Sequence, residues 1–255
     1  MATGTINVQS ENIFPIIKKF LYSDHEIFLR ELISNAIDAT QRVKALSSMG
    51  KVKDELGNLQ IEVVLKKEAK TLHFIDQGIG MDETEVEKYI NEIAFSGAEE
   101  FVNKYKDKTD GTNMIGHFGL GFYSSFMVAE KVEIITKSYK KTAKAVRWEC
   151  DGSPNYTIKP ADRKERGTEV ILHIAEDSVE FLEENKISEL LAKYCKFLPV
   201  EIKFGTKTDN VPDGKDKEGK EKTKEVVSDN IINNVAPAWK KQPAKLKDED
   251  YKKSE

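Results

Sequence analysis

Residues 24–50 read DHEIFLRELISNAIDATQRVKALSSMG. The spacing of Ile27, Phe28, Leu32, Ile33, Ala36, Ile37 and Val43 predicts one long amphipathic helix. Asp24 is placed to cap its start and Gly50 to end it. Glu31, Asn35 and Asp38 break into this apolar run at spacings of four and three, which puts all three on one helical face. A solvated helix face is the plain alternative. Against it, acceptor oxygens so closely flanked by apolar residues are costly without partners. A magnesium–phosphate group is a suitable partner, because magnesium takes a few hard oxygens and completes its shell from water and substrate.

Outward from this helix, Glu11–Leu21 has helical spacing, with Ser10 as cap, and Thr5–Val8 reads as a short strand. Ile61–Leu65 and Leu72–Ile75 read as a hairpin. Helix is expected over Glu83–Ile93, Leu120–Val128 and Glu183–Phe197. Strands are expected at Val132–Thr136, Lys144–Trp148, Tyr156–Lys159, Thr168–Ile174 and Val200–Phe204. Ser96–Thr112 is polar and mixed and reads as a mobile segment rather than core. Helices grouped first and last around hairpin strands imply an α+β, two-layer sandwich, with helices covering one face of a mixed or antiparallel sheet.

Composition bounds the function. Acidic residues (44) nearly balance basic ones (40), so the chain lacks the basic footprint of a nucleic-acid binder. Cys150 and Cys195 are the only cysteines and form no CxxC pair, which argues against a zinc site or a disulfide framework. There is no signal-peptide pattern and no membrane-length apolar run, so a cytoplasmic protein is expected. Apolar residues nearly vanish over 205–224, which reads as a charged linker or insert, expected to be disordered. Domain limits of 1–204 for the main domain and 225–255 for a truncated start of the next follow from that break.

Three further constellations carry chemistry. Asp76-Gln77-Gly78-Ile79-Gly80-Met81 delivers a carboxylate into a double-glycine bend, where Asp76 could accept from an adenine amine and Met81 could wall a flat ring. Gly116-His117-Phe118-Gly119-Leu120-Gly121-Phe122 opens a helix and offers backbone amides to an anion. It is neither a Walker loop nor a dinucleotide GxGxxG. Arg166-Gly167-Thr168 enters a strand and means nothing alone.

Taken together and in this order, ELISNAIDA from Glu31, DQGIGM from Asp76, IGHFGLGFYS from Ile115 and RGTEV from Arg166 resemble the nucleotide site of the heat-shock protein 90 chaperones, in their bacterial HtpG form. The outline is shared more loosely by gyrase, mismatch-repair and histidine-kinase ATPases. The resemblance spans about Gly4–Phe204, and NNVAPAWKKQP from Asn233 looks like the entry to the family's middle domain. It implies an eight-stranded sheet covered by helices, the Bergerat-type ATP-binding fold. It also implies ATP or ADP as ligand, with adenine on Asp76 near Gly80, Met81 and Thr168. Asn35 would hold magnesium, Asp38 would line the site, and Glu31 would polarise the attacking water. Gly116–Phe122 would meet the phosphates and close a lid built from about Ser96–Gly121.

The family dimerises through a C-terminal domain, handles client proteins and uses a middle-domain arginine in hydrolysis. A fragment of this length is therefore expected to be monomeric and a slow ATPase. Two positions depart from the family pattern: Phe95 stands where a lysine is common, and His117 where a glutamine is common. A histidine-kinase catalytic domain and a nucleotide-sensing module without hydrolysis are the rival readings. None of His25, His73, His117 or His173 has a phosphoacceptor context.

Overall fold

The computed structural model describes residues 24–91, 97–105, 115, 120–215 and 221–235. Helix α1 (Ile27–Ser48) is the long helix expected. Asp24 does not cap its first amides. Its Oδ1 accepts from the Glu26 amide at 2.9 Å and closes the turn before the helix. Gly50, at φ +69°, ends α1 and donates to the Ser47 carbonyl. The expected strand at Thr5–Val8 and helix at Glu11–Leu21 lie outside the described residues.

The sheet comprises β1 (Ile61–Lys66), β2 (Thr71–Asp76), β3 (Ala129–Lys137), β4 (Val146–Cys150), β5 (Tyr156–Pro160), β6 (Gly167–Ile174), β7 (Ile202–Lys215) and β8 (Glu221–Ile231). Their order is β5-β4-β3-β6-β2-β1-β7-β8. Every pair is antiparallel except β1–β7, so the sheet is mixed, and the α+β expectation holds. Alternation sends Val63, Leu72, Phe74, Ile134, Trp148 and Leu172 to the helix-covered face, where all are buried. Phe28 of α1 meets Phe74 edge-on at 6.3 Å and Phe181 at 5.1 Å, pinning the helix across the sheet. The opposite face is a charge lattice. Glu133 and Glu149 sit directly across from one another, and Lys131 lies between them at 3.0 and 2.9 Å.

The helices around this frame are short. Glu83–Ile93 divides into α2 (Glu83–Val86) and a wide π-helical turn over Glu87–Asn91, with 92 and 93 outside the described residues. Asp82 and Glu85 form a reciprocal capping box at the start of α2. Gly121–Met127 is a 3-10 helix, where the Ser124 and Ser125 hydroxyls bond carbonyls three residues back. A further helix, α4 (Glu184–Cys195), closes the helical layer and fixes α1 through Glu26, which accepts from Lys186 at 2.7 Å, Lys193 at 2.8 Å and Tyr194 at 3.2 Å.

Two expectations need correcting. Within Ser96–Thr112, Gly97–Tyr105 is helix α3, and Phe101 is buried against Val43, Leu46 and Ile79. Phe101 and Tyr105, one turn apart, give this charged stretch an apolar face. The second concerns 205–224, whose described residues are strand: Thr206–Pro212 pairs with Thr223–Asp229. A two-stranded ribbon satisfies its backbone through the ladder with both faces in water, so it needs no apolar pattern. Residues 205–211 are all exposed, as such a ribbon allows. The chain after it returns to the same body. Asn233 donates to the Leu198 and Val200 carbonyls at 2.8 Å each and accepts from the Ile202 amide at 2.8 Å. Residues 225–235 are thus hydrogen-bonded to the sheet domain rather than leaving it, and 236–255 lie outside the described residues.

Candidate functional site

The sequence motifs converge on α1. Asp76 ends β2, and its Oδ1 accepts from the Gly78 amide at 2.7 Å, so the chain turns sharply around the carboxylate. The turn is stitched to α1 because the Ile79 amide donates to the Ala39 carbonyl at 3.0 Å, one residue beyond Asp38. Gly80 follows at φ +60°, and a Cβ there would lie 1.8 Å from the Lys137 carbonyl oxygen. No other residue fits that position. Met81 then enters the layer, its amide held by Thr136 Oγ1 at 2.9 Å.

Thr168 lies across from Asp76 in the β2–β6 register, on the same sheet face. Its hydroxyl is 3.0 Å from that of Thr136. Asp76 is buried, and that burial pushes its carboxyl up to about 7. The Gly78 amide, the Arg163 charge and the Thr168 amide oppose that shift without cancelling it. A buried carboxyl near neutrality beside a hydroxyl and a thioether wall can hold a flat group that carries a hydrogen-bond donor.

The helix face is graded in exposure. Asp38 is buried, and its Oδ1 accepts from the Ile115 amide at 2.8 Å, so α1 grips the chain where the glycine segment begins. Asn35 is exposed between the buried Ser34 and Ala36, leaving its amide oxygen open. Glu31 is partly buried and pairs with Arg30 at 2.9 Å. The other end of the glycine segment comes back onto Glu31: Gly121 packs against its carboxylate, with the buried Phe122 behind.

The structure therefore brings together Glu31, Asn35, Asp38, Asp76, Gly80, Met81, Thr168, Leu120, Gly121 and Phe122 around the α1 face. Gly116, His117, Phe118, Gly119 and Phe95 lie outside the described residues. Among the described residues no cluster of three or more His, Cys, Asp or Glu could hold a metal. Both cysteines are free and buried, and burial pushes Cys195 up to about 12. A cavity of about 610 Å³ between β1, β7 and the start of α4 is lined by Val64, Lys67, Glu183, Asn185 and Thr206 and shares no residue with this site. No helix among the described residues is long and apolar enough to cross a membrane.

Sequence reading missed two contributors. Thr136 looks like an ordinary β-branched strand residue, and nothing in its neighbours signals the bonds it makes. Arg163, which donates to the Asp76 carbonyl at 3.2 Å, sits in a run of charges without distinguishing pattern.

With this geometry in place, comparison with known proteins is direct. Residues 22–184 match the family model described as "Histidine kinase-, DNA gyrase B-, and HSP90-like ATPase". The chain is 58% identical to the chaperone protein HtpG of Porphyromonas gingivalis over 98% of its own length and 35% of that relative's. It is 58% identical to HtpG of Bacteroides thetaiotaomicron, over 99% of the chain and 35% of the relative. For HtpG of Oceanobacillus iheyensis the identity is 38%, over 98% of the chain and 40% of the relative. The chain spans about a third of the length of the first two relatives, 35% in each case.

Proposed function

The chain belongs to the histidine kinase-, DNA gyrase B- and HSP90-like ATPase family, and from that premise we propose that it is the ATP-binding and slowly hydrolysing part of a molecular chaperone. The observation that carries this reading is the stitching of the Asp76–Met81 turn to Ala39, immediately after Asp38. It brings the buried Asp76 carboxyl and the polar face of α1 into one neighbourhood.

In this reading Asp76 accepts the exocyclic amine of adenine, and Gly80, Met81 and Thr168 form the walls around the base. The amides of Gly116–Phe122 receive the phosphates. Glu31 orients the water that attacks the γ-phosphate: the bond from water oxygen to phosphorus forms as the bond from phosphorus to the β,γ-bridging oxygen breaks, ADP leaves with that electron pair, and the Glu31 carboxylate takes the water's proton. The Arg30 guanidinium at 2.9 Å competes for that carboxylate.

Asn35 suits a magnesium ion. It is the exposed oxygen donor on a helix stretch whose neighbours are buried, and one protein oxygen is enough for an ion that takes its remaining ligands from phosphates and water. Bound there, the ion would neutralise charge on the phosphate oxygens. We propose that the chain works in the cytoplasm within a homodimer and acts on client proteins; the printed name of its relatives, a chaperone protein, supports the client role. The chain of 255 residues by itself is proposed to be monomeric. No observation favours transfer to a histidine.

The experiment is a time course of γ-phosphate release from ATP by the chain and by Glu31→Ala, with ADP affinity measured beside it. Slow release by the parent, none by the variant and equal ADP affinity are expected. A variant that releases phosphate as fast as the parent would remove Glu31 from the role.

A further inference from the structure

Thr136 is fully buried near the end of β3, and three groups of the purine wall meet at its hydroxyl. Its oxygen accepts from the Met81 amide at 2.9 Å. It lies 3.1 Å from the Gly167 carbonyl oxygen and 3.0 Å from the Thr168 hydroxyl. Met81 is 55 positions away in sequence and Thr168 is 32, so this one hydroxyl ties together the turn after β2, the start of β6 and the strand between them.

We infer that Thr136 is a positioning residue for the base: it sets the place of the Met81 wall and the direction in which Thr168 presents its hydroxyl. The inference rests on the adenine reading above and deepens it. A threonine hydroxyl has one proton and two lone pairs. One lone pair is committed to the Met81 amide. The proton goes either to Gly167 or to Thr168, the two further acceptors within hydrogen-bond distance of this buried hydroxyl. If Thr136 donates to Thr168, the Thr168 proton is left pointing toward the ligand. If Thr136 donates to Gly167, Thr168 gives its own proton to Thr136 and offers the ligand a lone pair. In either arrangement the hydrogen-bonding character of Thr168 is dictated from Thr136.

Removing the hydroxyl leaves the Met81 amide without its acceptor inside the protein. The turn must shift to find another, and binding the base must then restore the wall. Thr136 touches neither base nor phosphate in this account and acts only through Met81 and Thr168.

The test is calorimetric titration with ADP and magnesium, well below each variant's unfolding midpoint. Thr136→Val is expected to weaken ADP binding by about tenfold, the scale of one buried hydrogen bond left unmade. Thr136→Ser, which keeps the hydroxyl, should stay within about threefold, well under that loss. The double variant Thr136→Val with Thr168→Val should lose less affinity than the product of the two single losses, by more than about twofold, beyond what independent sites show. If the valine variant does not fold, Thr136→Ala against Thr136→Ser makes the same comparison. A hydroxyl that only stabilises the fold would lower the unfolding midpoint and leave ADP affinity unchanged, and that result overturns the inference, as do single losses that simply multiply. A parent that does not bind ADP overturns the adenine reading itself, and this inference with it.

Discussion

Glu31 and Gly121 are in contact, and a Cβ built on Gly121 would lie 2.5 Å from Glu31 Oε2 and 3.3 Å from its Cβ. The glycine segment thus ends with its backbone laid against the carboxylate proposed to orient water. Gly121→Ala is expected to push that carboxylate aside. The atom it meets is the end of a flexible side chain, so the fold should tolerate the methyl. Turnover should fall at least about tenfold, because misplacing a catalytic group by an ångström costs that much or more, while the unfolding midpoint changes little. Phosphate release and thermal unfolding, measured together, check this.

Asp76 gives the chain a pH dependence with a definite sign. Its ordinary value is 3.8, and burial lifts it to about 7. Between those values the folded chain keeps a proton that the unfolded chain has released. The stability contributed by the neutral carboxyl is therefore fully present below about pH 4 and is lost as pH rises toward 7. Asp76→Asn should flatten that decline, a difference on the order of a few kcal/mol across the window. ADP affinity should run the other way. The adenine amine bonds the ionised carboxylate best, so parent affinity should weaken as pH falls below 7. Denaturant unfolding and ADP titration across pH 5–8 measure both slopes.

Much of this was legible in the amino acids. The apolar period of α1, with Gly50 behind it, marked the helix, and the sharp bend after β2 was readable from Gly78 and Gly80 following an apolar run. What sequence hid was register. The bonds of Thr136 exist because three segments far apart in the chain align beside it, and a threonine in a strand carries no sign of that. Phe101 and Tyr105 were masked by the lysines and acids around them, although their spacing of four was in view. The β7–β8 ribbon was misjudged because apolar content was used as the mark of structure, while a ribbon with two wet faces is held by its backbone ladder and cross-strand pairs such as Lys203–Asp229 at 3.1 Å.

Glu26 ties the first turn of α1 to α4 through two lysines, which hold its carboxyl at about 2 against an ordinary 4.5. This is a depressed acid, so its contribution is fully present above about pH 4.5 and is lost as pH falls toward 2. Glu26→Gln should reduce stability at pH 7 by roughly 1 kcal/mol, since partly exposed pairs are weakened by solvent. The gap from the parent should close near pH 2, as unfolding midpoints across that range would show.

Gly80 admits no side chain at φ +60° with the Lys137 carbonyl 1.8 Å from the Cβ position. Gly80→Ala should displace the turn carrying Met81 and abolish ADP binding. Thermal unfolding beside an ADP titration separates local displacement from global loss of fold.

The most direct measurement is titration of the chain with ADP and magnesium, in parallel with Asp76→Asn. Saturable one-site binding by the parent, lost in the variant, is the predicted result and would put the base on Asp76. Absence of binding by the parent, or undiminished binding by Asp76→Asn, would contradict the assignment of this site.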